Sequence, residues 1–181
     1  MLRLFVALDP PESARLSLAR LCNGVPGAKW VPRDQFHLTL RFIGEVDEGT
    51  FADIADALAA VSVAPFSLRL SGVGHFPPRG APKVLWAGVD DGAPAVRLHD
   101  TIEAQLRRLG LAPDARKFAP HVTLARFRRA RLGKVRDFLA QHAMFATETF
   151  TLSAFHLYSS RLGAAGAVHR VEASYPLTTD A

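Results

Sequence analysis

Cysteine is almost absent from this sequence: Cys22 is the one cysteine among 181 residues. A lone thiol can form neither an intrachain disulfide framework nor a cysteine-based zinc cluster, so the sequence excludes small disulfide-stabilised and zinc-ribbon proteins. Cys22 follows the apolar residues Leu16, Leu18 and Leu21. We therefore expect it to be a small core residue rather than a reactive thiol.

Long apolar segments are also missing. No stretch approaches the roughly 20 apolar residues that a membrane-spanning helix requires. Residues 1–10 are apolar for only a few positions before Asp9, which is too short for a signal-peptide core, and they contain no small-residue cleavage site. The composition, 49% hydrophobic and 22% charged, is typical of a globular protein of one domain. We expect a monomeric cytoplasmic protein without a membrane segment.

Acidic residues are in the minority. The chain has 22 Lys and Arg residues against 17 Asp and Glu residues, which gives a formal net charge of +5. This positive balance favours anionic partners, such as RNA, nucleotides or acidic surfaces, but it does not specify a fold.

The spacing of apolar residues predicts two consecutive β-α-β-α-β units followed by a closing strand. The strand patterns lie at residues 2–9, 36–44, 66–73, 83–89, 121–127, 150–158 and 168–176, and the helical patterns lie at 12–21, 48–61, 95–109 and 132–142. The second unit repeats the order of the first, and short segments recur at a nearly constant offset. We therefore predict a duplication whose halves span roughly residues 1–76 and 83–160.

A glycine-rich phosphate loop is absent after the first strand, where Asp9-Pro10-Pro11 stands instead. This argues against a doubly wound parallel sheet that binds a nucleotide at that turn. We predict an α+β fold, a single domain over residues 1–181, in which two pseudo-symmetric lobes of mostly antiparallel sheet carry flanking helices. The glycine- and proline-rich segment 74–82 is expected to join the lobes, with the active-site cleft between them.

Each predicted unit contains one His-x-Thr motif in its second strand. The motifs are His37-Leu38-Thr39 and His121-Val122-Thr123. Because side chains alternate along a strand, the histidine and the threonine of each motif share one face, while the apolar residue between them faces the core. One such motif is most often structural. Two copies at matching places of a duplicated unit indicate that two imidazoles and two hydroxyls converge in one cleft.

These residue types suit the opening of a cyclic phosphodiester by water. The reaction requires a base that takes a proton from the nucleophile, and an acid that protonates the departing ribose oxygen on the opposite side of phosphorus. Histidine, with an unperturbed pKa of about 6.5, can serve as either. Threonine hydroxyls can donate hydrogen bonds to the non-bridging oxygens, where charge gathers in the transition state. Neither motif strand carries the carboxylates that metal sites usually add.

The remaining histidines of the chain are weaker candidates. His75 is predicted in a loop, His99 and His142 in helices, and His156 and His169 in late strands without a threonine two positions on. We expect these residues to lie outside the chemistry.

At the motif positions the sequence resembles the 2H phosphoesterase superfamily, which is named for two His-x-Thr/Ser motifs. It is most similar to the branch of bacterial and archaeal RNA 2′,3′-cyclic phosphodiesterases, historically called 2′-5′ RNA ligases. Besides the motifs, the similarity includes segments 2–8, 30–31, 84–88 and 157–162, and so extends over essentially the whole chain. It implies a bilobal α+β fold, hydrolysis of RNA 2′,3′-cyclic phosphate to a 2′-phosphate, and no required metal or cofactor.

The resemblance also implies individual roles. His37 corresponds to the family's proton donor and His121 to its proton acceptor, although the residues themselves leave that order open. Phe42 and Arg126, each five residues after a motif histidine, correspond to an aromatic and an arginine that contact the nucleotide. Strict alternation places both on the face away from the histidines unless the strand bulges. Arg41 lies an even number of residues after His37, which places it on the cleft face of an uninterrupted strand, and it is predicted to contact phosphate.

A basic run beside the second motif is expected to guide an RNA backbone. It consists of Arg126, Arg128, Arg129, Arg131, Lys134 and Arg136. Three other functions stay open: a metallohydrolase that uses the histidines as ligands, a non-catalytic RNA- or nucleotide-binding module, and an enzyme of the same fold acting on another small cyclic phosphate. RNA ligation is the predicted reaction in reverse.

Overall fold

The computed structural model describes residues 1–163 and 166–179 as a sheet-rich α+β protein. Its strands are β1 (Leu2–Leu8), β2 (Lys29–Trp30), β3 (Leu38–Val46), β4 (Phe66–Leu68), β5 (Leu70–Phe76), β6 (Val84–Val89), β7 (Val122–Arg126), β8 (Phe150–Leu152), β9 (Ala154–Gly163) and β10 (Gly166–Pro176). Its helices are α1 (Glu12–Leu21), α2 (Glu48–Ala59), α3 (Ala93–Arg108) and α4 (Leu132–Gln141). In these two ranges, none of the helices has both the length and the hydropathy needed to cross a membrane.

The strands pair in antiparallel fashion throughout the described chain. The main sheet has the order β10-β9-β1-β3-β7-β6-β5, with β2 beside β7, and β4 and β8 form a separate two-stranded sheet. The predicted α+β fold with mostly antiparallel sheet is confirmed.

The main sheet consists of two lobes that meet between β3 and β7. One lobe contains β1, β3, β9 and β10, and the other contains β2, β5, β6 and β7. The lobes are joined where Leu38 pairs with Val122. On the small sheet Ser67 pairs with Thr151, 84 residues away, and their hydroxyl oxygens lie 3.0 Å apart. Both pairs join equivalent positions of the two units, so a pseudo-twofold axis relates the lobes.

The lobes do not coincide with the two halves of the sequence. Strand β9, from the second half, pairs with β1, whereas β5, from the first half, pairs with β6. The third strand of each unit therefore crosses to the opposite lobe. The prediction that segment 74–82 joins the lobes was wrong, because Phe76 and Val84 pair within one β-hairpin of a single lobe.

Each predicted third strand is split in two. Strands β4 and β5 are separated at Arg69, and β8 and β9 are separated at Ser153. At these points the chain leaves the small sheet and enters the main sheet. The apolar pattern of the sequence continues across both breaks, so it does not reveal the change of partner.

The apolar faces of the helices pack with the strands into one core. Helix α3 contributes Leu98, Ile102 and Leu106, which recur at helical spacing and are fully buried. The carboxylate of Asp47 caps helix α2 by accepting a hydrogen bond from the Thr50 backbone N–H at 2.8 Å. The core lies behind β3 and β7 and leaves their other face for polar residues.

Candidate active site

The two motif histidines lie at the junction of the lobes, immediately before β3 and β7. Leu38 and Val122, which follow them, pair in antiparallel register and are buried, with 2% and 0% of their surfaces exposed. In an antiparallel pair each histidine then lies across from the threonine of the other motif. Alternation puts His37, Thr39 and their counterparts on the face opposite the core. The structure thus brings both motifs together in one cleft.

Both imidazoles are held in the same way. His37 Nδ1 lies 2.8 Å from the carbonyl oxygen of Gln35, and His121 Nδ1 lies 2.6 Å from that of Ala119. Because a carbonyl can only accept a hydrogen bond, Nδ1 carries the proton and each neutral ring has an unprotonated Nε2. Each Nε2 can take up a proton and, once protonated, can give one. The two rings are chemically equivalent in this respect.

Burial shifts the protonation of both rings. It lowers the pKa of His37 to about 4, against the opposing effect of the hydrogen bond to Gln35 and with a smaller lowering from His169. Burial also lowers the pKa of His121, and the positive charge of Arg126 adds to that lowering. Both imidazoles are therefore neutral near pH 7 before an anion binds.

A β-bulge follows each motif and changes which side chains face the cleft. The register between β1 and β3 skips Leu40, and the register between β6 and β7 skips Leu124. A one-residue bulge reverses the alternation beyond it, so the residue five positions after each histidine returns to the histidine's face. The Phe42 ring is 48% exposed, and Phe5 contacts both Phe42 and His37, with centroid separations of 5.9 and 5.0 Å.

Arg126 takes the corresponding place in the second lobe. It is the exposed last residue of β7. Burial has the largest effect on the pKa of both His121 and His169, and the positive charge of Arg126 lowers both pKa values further. Its guanidinium therefore lies within electrostatic range of two imidazoles. Strict alternation had placed Arg126 and Phe42 on the opposite face, and the bulges are the reason for the difference.

Arg41 lies outside the cleft. Its Nε is 2.8 Å from Glu103 Oε2 on α3, and its guanidinium donates hydrogen bonds to the carbonyl oxygens of Phe42 and Ala112. The two charged side chains are buried, with 8% and 10% of their surfaces exposed. The prediction that Arg41 contacts phosphate was wrong, because the bulge at Leu40 turns it toward the helix.

Aromatic rings surround each motif histidine. In the first lobe Phe5 stacks on Tyr158 with centroids 5.0 Å apart. In the second lobe Phe76 contacts the motif histidine edge-on at 5.0 Å and Trp86 at 5.4 Å. The indole requires glycine at position 74, because a Cβ on Gly74 would overlap with the ring. These apolar walls provide the burial that keeps the imidazoles neutral.

A third histidine reaches the cleft from the hairpin β9–β10. His169 contacts His37 edge-on with ring centroids 5.4 Å apart, and it contacts Phe5 at 5.0 Å. The structure thus places His169 beside the first motif histidine, and the expectation that it takes no part in the chemistry stays a prediction. This histidine has no motif around it, and its position depends on the pairing of β10 with β9 at the edge of the first lobe. The sequence held one signal for His169: it lies in the closing strand, which has no counterpart in the first unit.

The geometry has its match in a known family. The sequence profile of the 2′-5′ RNA ligase superfamily matches residues 9–164 of this chain. The chain belongs to the 2′-5′ RNA ligase superfamily. Two curated relatives are named RNA 2′,3′-cyclic phosphodiesterase. The protein from Aeropyrum pernix is 44% identical over 119 residues, covering 65% of this chain and 67% of the relative, and the protein from Archaeoglobus fulgidus is 33% identical over 172 residues, covering 93% and 97%.

Solved structures share the fold of this chain. The protein TT0787 of Thermus thermophilus superposes with a TM-score of 0.83 at 28% identity, covering 99% of this chain and 100% of that chain. Escherichia coli LigT complexed with 3′-AMP superposes with a TM-score of 0.80 at 22% identity, covering 98% and 99%. The family predicted from the two motifs is confirmed.

The cleft of this superfamily member combines proton-transfer groups with hydrogen-bond donors. The two motif histidines have ring nitrogens that can exchange protons, and the threonines and Arg126 can stabilise negative charge. Within residues 1–163 and 166–179, no group of three or more His, Cys, Asp or Glu side chains could hold a metal ion. The arrangement can move protons on and off a phosphate ester.

Proposed function

We propose that this chain hydrolyses the 2′,3′-cyclic phosphate at an RNA end to a 2′-phosphate, by metal-independent acid–base catalysis with His37 and His121. The observation that carries the proposal is the meeting of two equivalent imidazoles at the junction of the lobes, each with Nδ1 held by a backbone carbonyl. The names of the relatives from A. pernix and A. fulgidus support the same substrate.

The two histidines act on opposite sides of phosphorus. Following the family resemblance, His121 Nε2 takes a proton from water as the water oxygen attacks phosphorus, and His37 Nε2 gives a proton to O3′ as the P–O3′ bond breaks. The donor must be protonated, yet its pKa is about 4. A bound phosphate anion favours the charged imidazolium and raises this pKa. Substrate binding therefore prepares His37 for its role.

Two threonines and two further side chains hold the substrate in this proposal. The hydroxyls of Thr39 and Thr123 donate hydrogen bonds to the non-bridging phosphate oxygens, where negative charge increases in the transition state. Arg126 adds a positive charge beside the phosphate. The half-exposed ring of Phe42 stacks on the terminal base. No cofactor takes part.

The RNA strand leaves the cleft along the basic run that extends from the last residue of β7 into α4. All of its members are exposed: Arg126, Arg128, Arg129, Arg131, Lys134 and Arg136. Exposed lysines and arginines bind the phosphates of a nucleic acid backbone without regard to sequence. This run begins in the cleft with Arg126, so a strand whose end is bound there meets it first.

The test uses an RNA oligonucleotide ending in a 2′,3′-cyclic phosphate, incubated with the protein in EDTA, with the product identified by phosphorus NMR. We expect a 2′-phosphate. Turnover that appears only after zinc or manganese is added would indicate a metallohydrolase, and binding without turnover in either condition would indicate a binding module. If the protein hydrolyses another small cyclic phosphate but not the RNA, the proposed reaction stands and RNA is not its substrate. Adding RNA with a 5′-hydroxyl tests RNA ligation, in which that hydroxyl replaces water as the nucleophile, the P–O3′ bond breaks and a 2′-5′ linkage forms.

We also propose that the active form is a cytoplasmic monomer, since both motifs come from one chain. Light scattering on the eluting protein should give a mass near 19.7 kDa. An eluting dimer would contradict the monomer.

A further inference from the structure

The symmetry of the two motifs does not extend to the strand beside each histidine. In the first lobe Leu8, the last residue of β1, pairs with Leu38 in antiparallel register. Continuing this register by one residue places Asp9 across from His37. Leu8 and Leu38 are buried in the core, so alternation directs the next side chain of each segment to the cleft face. The first motif histidine therefore has a carboxylate as its cross-strand neighbour.

The equivalent position of the second lobe is a glycine. Ala87 of β6 pairs with Val122, so the same continuation of the register places Gly88 across from His121. A Cβ on Gly88 would lie 2.8 Å from the carbonyl oxygen of Ser71, so a side chain there requires the backbone of β5 to move. The two lobes therefore differ at this position, which is charged in the first lobe and closely packed in the second.

The Asp9 carboxylate is held in place by side chains of α1 and β9. The Tyr158 hydroxyl donates to it, with Oδ1 and Oδ2 at 2.7 and 2.6 Å. Arg15 Nη2 and His156 Nε2 lie 3.9 and 3.7 Å from Oδ2. The Tyr158 ring in turn lies 6.3 Å from the His37 ring, measured between centroids. These contacts fix a partly buried negative charge beside the first motif histidine, where water screens it less than at the surface.

Charged and titratable groups act on His37 from three elements. Burial has the largest effect on the pKa of His37 and lowers it. Among the surrounding charges Asp9 raises this pKa, whereas His169 of β10 and Arg15 of α1 lower it. Asp34 also lines the cavity beside His37, at an exposed position. Loss of the Asp9 charge would leave the positive charge of Arg15 without the carboxylate that faces it.

The charge beside the second motif histidine has the opposite sign. Burial lowers the pKa of His121, and the positive charge of Arg126 lowers it further. A carboxylate favours the imidazolium form of a neighbouring ring, whereas a guanidinium favours the neutral form. A general acid must hold a proton before the reaction, and a general base must be free of one. The two rings are therefore prepared for different roles, although their Nδ1 contacts match.

We propose that Asp9 is a positioning residue whose carboxylate stabilises the imidazolium form of His37 and thereby makes His37, rather than His121, the proton donor. The role of donor rests on the proposed function, because it requires that both histidines act on a phosphate ester. The charge effect rests on the strand register and on the contacts that hold the carboxylate, and it can be measured without turnover.

The test compares Asp9→Asn with two control variants. Asp9→Asn is nearly isosteric, removes the charge and keeps an oxygen that can accept from the Tyr158 hydroxyl. Tyr158→Phe removes that hydrogen bond and keeps the charge, and Asp34→Asn removes a carboxylate from the wall of the same cavity. NMR titration of the histidine rings, with and without saturating adenosine 2′-phosphate, gives the pKa values of His37 and His121. Hydrolysis of adenosine 2′,3′-cyclic phosphate at a series of pH values gives the kcat profile.

We expect the pKa of His37 to fall by about one pH unit in Asp9→Asn, while that of His121 stays at its wild-type value. The alkaline limb of the kcat profile, where the donor loses its proton, should move down by the same amount. At pH values above this limb kcat should then be about tenfold lower than in the wild type. Tyr158→Phe and Asp34→Asn should shift neither the pKa of His37 nor the profile.

An unchanged pKa of His37 in Asp9→Asn overturns the inference. A fall of the same size in either control variant, or at His121, also overturns it, because the position of the Asp9 charge then does not matter. A shift of the acidic limb instead of the alkaline limb would make His37 the base and overturn its assignment as donor. If the pKa of His37 falls as expected but the wild type hydrolyses no cyclic phosphate, the proposed function fails while the charge effect stands.

Discussion

Leu38 of β3 pairs with Val122 of β7, and the two residues occupy equivalent positions of the duplicated unit. This pairing joins the lobes and aligns the histidine before it and the threonine after it in each strand. The site is therefore built on the pseudo-twofold axis, and neither lobe contains it alone. The matching contacts of the two Nδ1 atoms follow from the same symmetry.

Replacing either motif histidine should abolish most of the activity. We expect His37→Ala and His121→Ala each to lower kcat for an RNA 2′,3′-cyclic phosphate on the order of a hundredfold or more, because each removes one proton-transfer group. His142→Gln, at the end of α4, is the matched control and should keep wild-type kcat. A motif variant with full activity would remove that histidine from the mechanism.

The motif threonines should matter for rate rather than for folding. Thr39→Val and Thr123→Val keep the shape of the side chain and remove the donor, so kcat should fall on the order of a hundredfold. The Tm should remain close to that of the wild type. Thr101→Val, on an exposed turn of α3, controls for the loss of a hydroxyl elsewhere. Unchanged turnover in a motif variant would make its hydroxyl structural.

Phe42 should contribute to binding of the base. Phe42→Ala removes a ring that is 48% exposed, so stability should change little while KM for adenosine 2′,3′-cyclic phosphate rises about tenfold. Leu162→Ala removes another exposed apolar side chain, on β9, and should leave KM unchanged. An unaltered KM in Phe42→Ala would limit this ring to packing against Phe5.

The sequence predicted the features that depend on local strand alternation and on the repeated motif. It did not predict the features that depend on pairing between strands far apart in the chain. The motif residues were predictable because a strand alternates locally and the pattern occurs twice. Arg41 was misplaced because the parity argument assumes an uninterrupted strand, and the bulge at Leu40 depends on the register with β1. The position of His169 beside His37 was not predicted, because it depends on the pairing of β10 with β9 and of β9 with β1. Strands β5 and β9 each cross to the lobe of the other unit, and this also depends on strand pairing, because apolar patterns do not specify which strands pair.

Arg41 should be a stability residue. Arg41→Leu removes the close partner of the buried Glu103 and leaves it only Arg107, an exposed side chain whose Nε is 3.8 Å from Glu103 Oε1, which should lower the free energy of unfolding by about 3 kcal/mol. The double variant Arg41→Leu, Glu103→Leu should recover most of that loss, because the uncompensated charge is gone. Urea denaturation measures both. A direct role of Arg41 in phosphate binding would appear instead as a raised KM in the double variant.

The low pKa of His37 should make the protein less stable in acid. In the unfolded chain a histidine titrates at about 6.5, whereas His37 in the folded protein titrates at about 4. Between these pH values the unfolded chain binds a proton that the folded protein does not, so the free energy of unfolding falls as the pH is lowered through this window.

His37→Gln lacks this group and should lose less stability than the wild type between pH 7 and pH 4. Urea denaturation at pH 7, 5.5 and 4.5 measures the difference, with the other histidines common to both proteins. Saturating inorganic phosphate should weaken the wild-type dependence, because a bound anion raises the pKa of His37 and reduces the difference between the folded and unfolded states. Parallel stability curves for the wild type and His37→Gln would mean that burial does not keep this imidazole neutral.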